Sequence, residues 1–108
     1  MTITQPVDMT ECRAAQFDAF SHPVRLRLLS LIAETGGKLT VEELTNRMQT
    51  TMVAYHLHRM SRAGILTGTR RGYFTYYAIR PEAISDMQHE LDRLLWQHTQ
   101  AAAEARRV

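Results

Sequence analysis

Five arginines, Arg59, Arg62, Arg70, Arg71 and Arg80, fall between residues 51 and 80, together with His56 and His58 and without any aspartate or glutamate. Guanidiniums at this density neutralise phosphates and release the counterions condensed on a polyanion, so the block has the composition of a nucleic-acid-binding surface. Elsewhere the signs are mixed: residues 1–50 carry five basic and six acidic side chains, and residues 81–108 three and five. The formal net charge of +2 therefore hides a concentrated positive field. A merely solvated basic face has the same composition, so spacing within the block must discriminate.

At 100° per residue, a helix through this block sorts its side chains cleanly. Val53, Leu57 and Met60 fall on one side and face a core. Thr51, Met52, Tyr55, His58, Arg59 and Arg62 fall on the other, again without a carboxylate. These groups suit phosphates and the base edges of the major groove, where arginine favours guanine. Early residues of a reading helix point into the groove, which puts Thr51, Met52, Tyr55 and His56 nearest the bases and leaves phosphates to Arg59 and Arg62. Arg70 and Arg71 belong to a hairpin tip, from which they enter a neighbouring minor groove or grip its backbone. His56 sits at the boundary of the inner face, where a packed, hydrogen-bonded histidine and a DNA contact are both open readings. Tyr73, Phe74, Tyr76 and Tyr77 read as hairpin packing, with Tyr77 and Ile79 pointing inward.

Other chemistries find less support. There are no paired carboxylates, no glycine-rich phosphate loop and no nucleophile–base set; Ser21 and His22 are neighbours at a helix junction, where capping explains them. The sequence thus predicts no enzyme and no cofactor. Asp86, His89 and His98 invite comparison with a metal site, but they lie at about 200°, 140° and 320° around a helix counted from Ile84, so they do not converge and no metal is expected. The single cysteine, Cys12, excludes an internal disulfide. It reads as a small apolar residue, or as a thiol near a two-fold axis that bridges subunits or responds to oxidants. No run approaches the ~18 apolar residues of a membrane span, and the N-terminus lacks a basic stretch followed by an apolar one, so a cytoplasmic location without membrane contact is expected.

The elements that position these groups follow from breakers and periodicity. Residues 1–9 read as an arm, with Thr10 capping a first helix over 11–20. Pro23 suits the first position of a second helix, which carries Val24, Leu28, Leu31 and Ile32 to about Thr35, where Gly36 and Gly37 stop it. Thr40-Val41-Glu42-Glu43 is a capping box opening a short helix over 41–48. Thr50 or Thr51 caps the fourth helix, which runs to Ala63 with Gly64 as its C-terminal cap. Strands over 65–69 and 73–79 flank a turn at 68–72, and Pro81 opens a last helix to about Ala105. The expected fold is mainly α with one β-hairpin, in the order helix, helix, helix, helix, hairpin, helix, as one domain over 1–108.

Three segments in this order resemble the ArsR family. The run Phe17 to Leu29, with Ala19-Phe20-Ser21-His22-Pro23-Val24-Arg25-Leu26 at its centre, is similar to the family's opening. Tyr55-His56-Leu57 with Ala63-Gly64-Ile65-Leu66 resembles its recognition segment, and Arg71-Gly72 with Tyr76-Tyr77-Ala78-Ile79 its wing. Together they cover roughly residues 14–91, and their joint order is specific where each alone is weak. The resemblance implies a winged helix-turn-helix, a dimeric transcriptional repressor, the fourth helix as reader and the first and last helices as dimer interface. Two departures stand out. Leu44 to Leu57 is about two residues shorter than the family spacing, which tightens the turn between the third and fourth helices. The Cys-x-Cys pair of metal-sensing relatives is absent from Leu39 to Leu44, leaving the inducer unassigned.

The stripe Ile84, Met87, Leu91, Leu94 and Leu95 is too long to stay wet on a small monomer. A homodimer interface is therefore expected from Cys12, Ala15, Ala19, Met87, Leu91, Leu94, Leu95 and His98, and Trp96, opposite the stripe, is expected to pack on the first or second helix, with the lining of a small-molecule pocket as the alternative. Two reading helices then meet half-sites of a near-palindromic operator in double-stranded DNA. The competing reading is a winged helix that docks a protein and touches no DNA; an acid-free basic surface is not what such a module needs.

Overall fold

The computed structural model describes residues 8–107; residues 1–7 of the expected arm lie outside the described residues. Five helices and one hairpin follow in the expected order: α1 (Thr10–Asp18), α2 (Pro23–Thr35), α3 (Val41–Met48), α4 (Val53–Arg62), β1 (Leu66–Arg71), β2 (Phe74–Ile79) and α5 (Pro81–Ala105).

Most helix ends obey the local chemistry. His22 precedes Pro23, and its Nδ1 accepts the backbone N–H of Val24 at 3.1 Å, giving α2 a side-chain cap. Thr40 and Glu43 close the capping box on α3: Thr40 Oγ1 accepts from Glu43 N, and Glu43 Oε1 accepts from Thr40 N. Gly64, at φ +80°, ends α4, with its own N–H on Ser61 O and the N–H of Ile65 on Met60 O. Only a left-handed residue lets the chain turn back this sharply, and the turn aims Ile65 and Leu66 into the core.

Four boundaries differ from expectation. Thr10 does not cap α1; it is the first helical residue, and Asp8 Oδ1 accepts from its N–H and hydroxyl. The helix closes at Asp18 rather than at residue 20. Thr50 reaches Met52 N only at 3.4 Å, and α4 begins at Val53, so Thr51 and Met52 stand in the turn ahead of the helix rather than in its first turn. The hairpin turn is only Gly72-Tyr73, because Gly72, at φ +64°, suits the first position of a tight two-residue turn. Gly68 lies inside β1, where the ring of Tyr77 occupies the space a Cβ would need, so this glycine serves packing and not the turn.

The core is drawn from every element. Leu28 and Ile32 of α2, Leu44 of α3, Val53, Leu57 and Met60 of α4, Ile65 just ahead of the hairpin and Leu66 at the start of β1 are fully buried. Ile79 and Tyr77 pack against them, as their inward alternation requires. The antiparallel register runs from Leu66 opposite Ile79 to Arg71 opposite Phe74.

Helix α5 divides in two. Its first turns lie on the core through Ala83 and Met87, and Arg13 of α1 sits 3.7 Å from Asp86. From Leu91 onward the helix leaves the body, and nearly every residue is exposed. The Cα radius of gyration, 18.3 Å, exceeds the roughly 13 Å of a compact chain this long, because this half projects alone. Two residues expected at a subunit interface, Ala19 and Met87, are therefore part of the chain's own core. Cys12 and Ala15 are exposed on α1 and His98 on α5, while Leu91, Leu94 and Leu95 are half to two-thirds exposed. Trp96 is 67% exposed, contrary to the expected packing, because no element among the described residues turns back to meet that part of α5. No helix among the described residues is long and apolar enough to cross a membrane.

Candidate nucleic-acid interface

The two faces of α4 separate as its periodicity requires. Val53, His56, Leu57 and Met60 are buried. Tyr55, His58, Arg59 and Arg62 are exposed, and Thr51 and Met52 continue their surface into the preceding turn. The inner apolar side chains fix the helix against α2, α3 and β1, so the outer polar groups are carried on a rigid element.

His56 belongs to the inner set, which corrects its expected place near the bases. It is 5% exposed, and its Nδ1 lies 3.2 Å from Nη1 of Arg25. A guanidinium only donates, so Nδ1 is the acceptor and the neutral ring carries its proton on Nε2. The ring of His22 sits 4.5 Å away between centroids, and that of Tyr55 meets it edge-on at 5.3 Å. Burial, followed by the nearby His22, Arg25 and Arg59, lowers the pKa of His56 below the ordinary histidine value.

Arg25 is the residue that sequence reasoning missed beneath the site. It is 6% exposed; Nε donates to Ala19 O at 3.0 Å and Nη2 to Asp18 O at 3.1 Å. It thereby satisfies carbonyls at the C-terminal end of α1, where a cation is favoured, and its third contact ties that end to α4 through His56. A signal was present: Arg25 stands on the same helical stripe as Leu28, Leu29 and Ile32, and an arginine on an apolar stripe needs acceptors.

Asp18 is the second omission. Its Oδ2 accepts from Nη2 of Arg59 at 3.0 Å, while Nη1 of Arg59 donates to the hydroxyl of Tyr55 at 3.3 Å. The acid-free stretch is thus not acid-free in space, and Arg59 is not the unengaged phosphate clamp its sequence suggested. The pairing with Arg59 holds the Asp18 carboxyl below the usual carboxylate range, and the Asp18 and Tyr55 contacts raise the pKa of Arg59 further. No window along the chain joins residues 41 positions apart.

The hairpin carries Arg70 and Arg71 at the end of β1, both exposed. As neighbours in a strand they leave from opposite faces. Arg70 Nε donates to Gly72 O at 3.3 Å, and the guanidinium of Arg71 lies 5.9 Å from the ring centroid of Tyr76. Tyr77 packs against the core as expected and Tyr76 is half-buried, but Tyr73 is 93% exposed and Phe74 49%. The two-residue turn throws Tyr73 clear of the sheet, which is why the packing reading fails there. Among the described residues, no group of three histidine, cysteine or acidic side chains is placed to hold a metal ion.

Comparison with known proteins agrees with this architecture. Residues 20–69 match a helix-turn-helix domain family. The chain is 30% identical over 87 residues to an HTH-type transcriptional regulator of Methanocaldococcus jannaschii, covering 78% of this chain and 96% of that protein. It is 35% identical over 68 residues to the arsenic resistance transcriptional regulator ArsR1 of Pseudomonas putida, covering 61% of this chain and 52% of that one. It is 26% identical over 72 residues to the transcriptional repressor SdpR of Bacillus subtilis, covering 65% and 78%. The solution structure of a homodimeric winged helix-turn-helix DNA-binding domain from Mycobacterium bovis, a possible ArsR-family regulator, superposes with a TM-score of 0.65 at 20% identity, covering 90% of this chain and 93% of that one.

Proposed function

Because this chain belongs to the helix-turn-helix transcriptional regulators and is similar to ArsR-type members among them, we propose that it is a homodimeric repressor of the ArsR type that binds double-stranded DNA with α4 as its reading helix. One observation carries the reading: the exposed side of α4 presents Tyr55, His58, Arg59 and Arg62 while its apolar side is locked in the core. Thr51, Met52 and Tyr55 are assigned to base edges, and His58 and Arg62 to the flank of the groove. Arg70 and Arg71 are assigned to the backbone or to a minor groove beside it. His56 is withdrawn from the DNA contacts and acts from beneath, by fixing α4 against α2.

The projecting half of α5 supports self-association. Leu91, Leu94, Leu95 and His98 recur on one side of a helix that no other element among the described residues covers, and a second copy would bury them, with Cys12 and Ala15 of α1 at the edge. A two-fold dimer implies a near-palindromic operator with half-sites about 34 Å, one helical turn, apart. The reading includes no catalysis, and the inducing signal is left unassigned.

The test is selection of duplexes from a randomised pool by the purified protein, with its mass measured in the same buffer. A dimer that enriches an inverted repeat, with affinity falling steeply as salt rises, is expected. A monomer, or a protein that shifts no duplex even at low salt, would overturn the reading in favour of a winged helix that docks another protein.

A further inference from the structure

Three features point to one residue. The carboxylate of Asp18 is the acid that reaches the outward side of α4, and it is spent on Arg59, 3.0 Å away. From the other side the hydroxyl of Tyr55 accepts from the same guanidinium. Asp18 is itself anchored: its backbone carbonyl accepts from Ser21 Oγ at 2.7 Å and from the buried Arg25 at 3.1 Å. The carboxylate is thus fixed to the body of the protein, and Arg59 is held between it and Tyr55.

We propose that Asp18 is a specificity-determining residue of the DNA interface, which acts by positioning Arg59. The inference rests on the DNA-binding reading above. An exposed ion pair adds little to folding, and the anchoring of Asp18 runs mainly through its carbonyl, with one long contact of 3.4 Å from Ser21 Oγ to the carboxylate, whose principal partner is Arg59. The charge of the carboxylate opposes phosphates, which lowers affinity for any duplex regardless of sequence. In return the guanidinium is held in one orientation. Two of its five N–H groups are engaged by Asp18 and Tyr55, and three remain to donate to nucleic acid. A fork held in advance loses less freedom when it meets the matching pair of acceptors on a base, and gains nothing from a mismatched one. Asp18 therefore trades non-specific affinity for discrimination.

The experiment uses the full chain and two probes: the duplex enriched from the randomised pool and a scrambled duplex of equal length and composition. The unaltered protein, Asp18→Asn, Arg59→Ala and the double variant are titrated on both at two salt concentrations, with Glu104→Gln, a charge removed at the far end of α5, as control. Asp18→Asn should bind the scrambled duplex severalfold more tightly, and its preference for the enriched duplex should fall by about tenfold. Combined with Arg59→Ala, the same change should leave the preference where Arg59→Ala alone puts it. Asp18→Ser, read in the same way, replaces the asparagine variant should that one not fold. An unchanged preference in Asp18→Asn, an equal loss in the Arg59→Ala background, or the same effect from Glu104→Gln would overturn the proposal while leaving DNA binding intact. An unaltered protein that enriches no sequence would overturn the DNA-binding reading and this inference with it.

Discussion

The arginines at the outward surface and just beneath it live in two different settings. Where α1, α2 and α4 meet, Arg25 and Arg59 are engaged by the protein itself, one through two carbonyls and a histidine, the other through a carboxylate and a phenol. On the hairpin, Arg70 touches one carbonyl of its own turn and Arg71 lies beside an aromatic ring, with no acid near either among the described ion pairs. The junction spends its charge on holding a geometry, whereas the wing keeps its charge available. On the proposed DNA-binding reading, geometry selects among sequences and free charge attracts any duplex, so the two regions are expected to divide specificity and affinity between them.

The largest effect that could break this contrast is at Arg25. Arg25→Ala leaves Ala19 O and His56 Nδ1 without their donor in a buried site and takes from Asp18 O one of its donors, the other being Ser21. The expected loss of unfolding stability is on the order of 3 kcal/mol, read from urea denaturation with an unchanged slope. Arg70→Ala should move the same curve by no more than about 0.5 kcal/mol. Equal shifts would mean that the buried arginine is no more structural than the exposed one.

The wing is tested next, on DNA. Arg70→Ala and Arg71→Ala should each weaken binding to enriched and scrambled duplexes alike and reduce the salt slope by about 1. A change of preference between the two duplexes would show that the wing reads sequence and would erase the division of labour.

What the residues disclosed in advance, and what they withheld, follows the same boundary. Elements whose signals are local were legible: the capping box at Thr40 and Glu43, Pro23 at the start of α2, the Gly64 cap and the two faces of α4. Gly68 misled because a glycine in a strand and a glycine in a turn look alike until the ring of Tyr77 is placed over it. Ala19 and Met87 sit on stripes that the sequence assigns to a partner, yet short α1 and the first turns of α5 meet within one chain. Asp18 and Arg59 were illegible for a simpler reason, since a pair formed across a tertiary junction has no spacing. The candidate site was therefore readable as a list of outward side chains, and unreadable as a set of hydrogen bonds.

The smallest expected effect concerns acidity, and it sharpens the contrast without DNA. His56 is neutral in the folded protein because Arg25 occupies Nδ1 as a donor and burial opposes a second proton; the charged and titratable groups facing it are His22 and Arg25 from α2 and its N-cap, and Tyr55 and Arg59 from α4 itself. Its folded pKa lies below the unfolded value of about 6.5, so the unfolded chain binds the extra proton first as pH falls. The stability owed to neutral His56 is therefore complete above about pH 6.5, declines on acidification below it, and levels off beneath the depressed folded value. His56→Asn, whose amide oxygen offers Arg25 an acceptor without a titrating ring, should flatten the change in urea midpoint between pH 8 and pH 5.5, whereas Arg70→Ala should leave it as it is. An identical pH dependence in His56→Asn and the unaltered protein would place the titrating group elsewhere and remove the histidine from the junction's account.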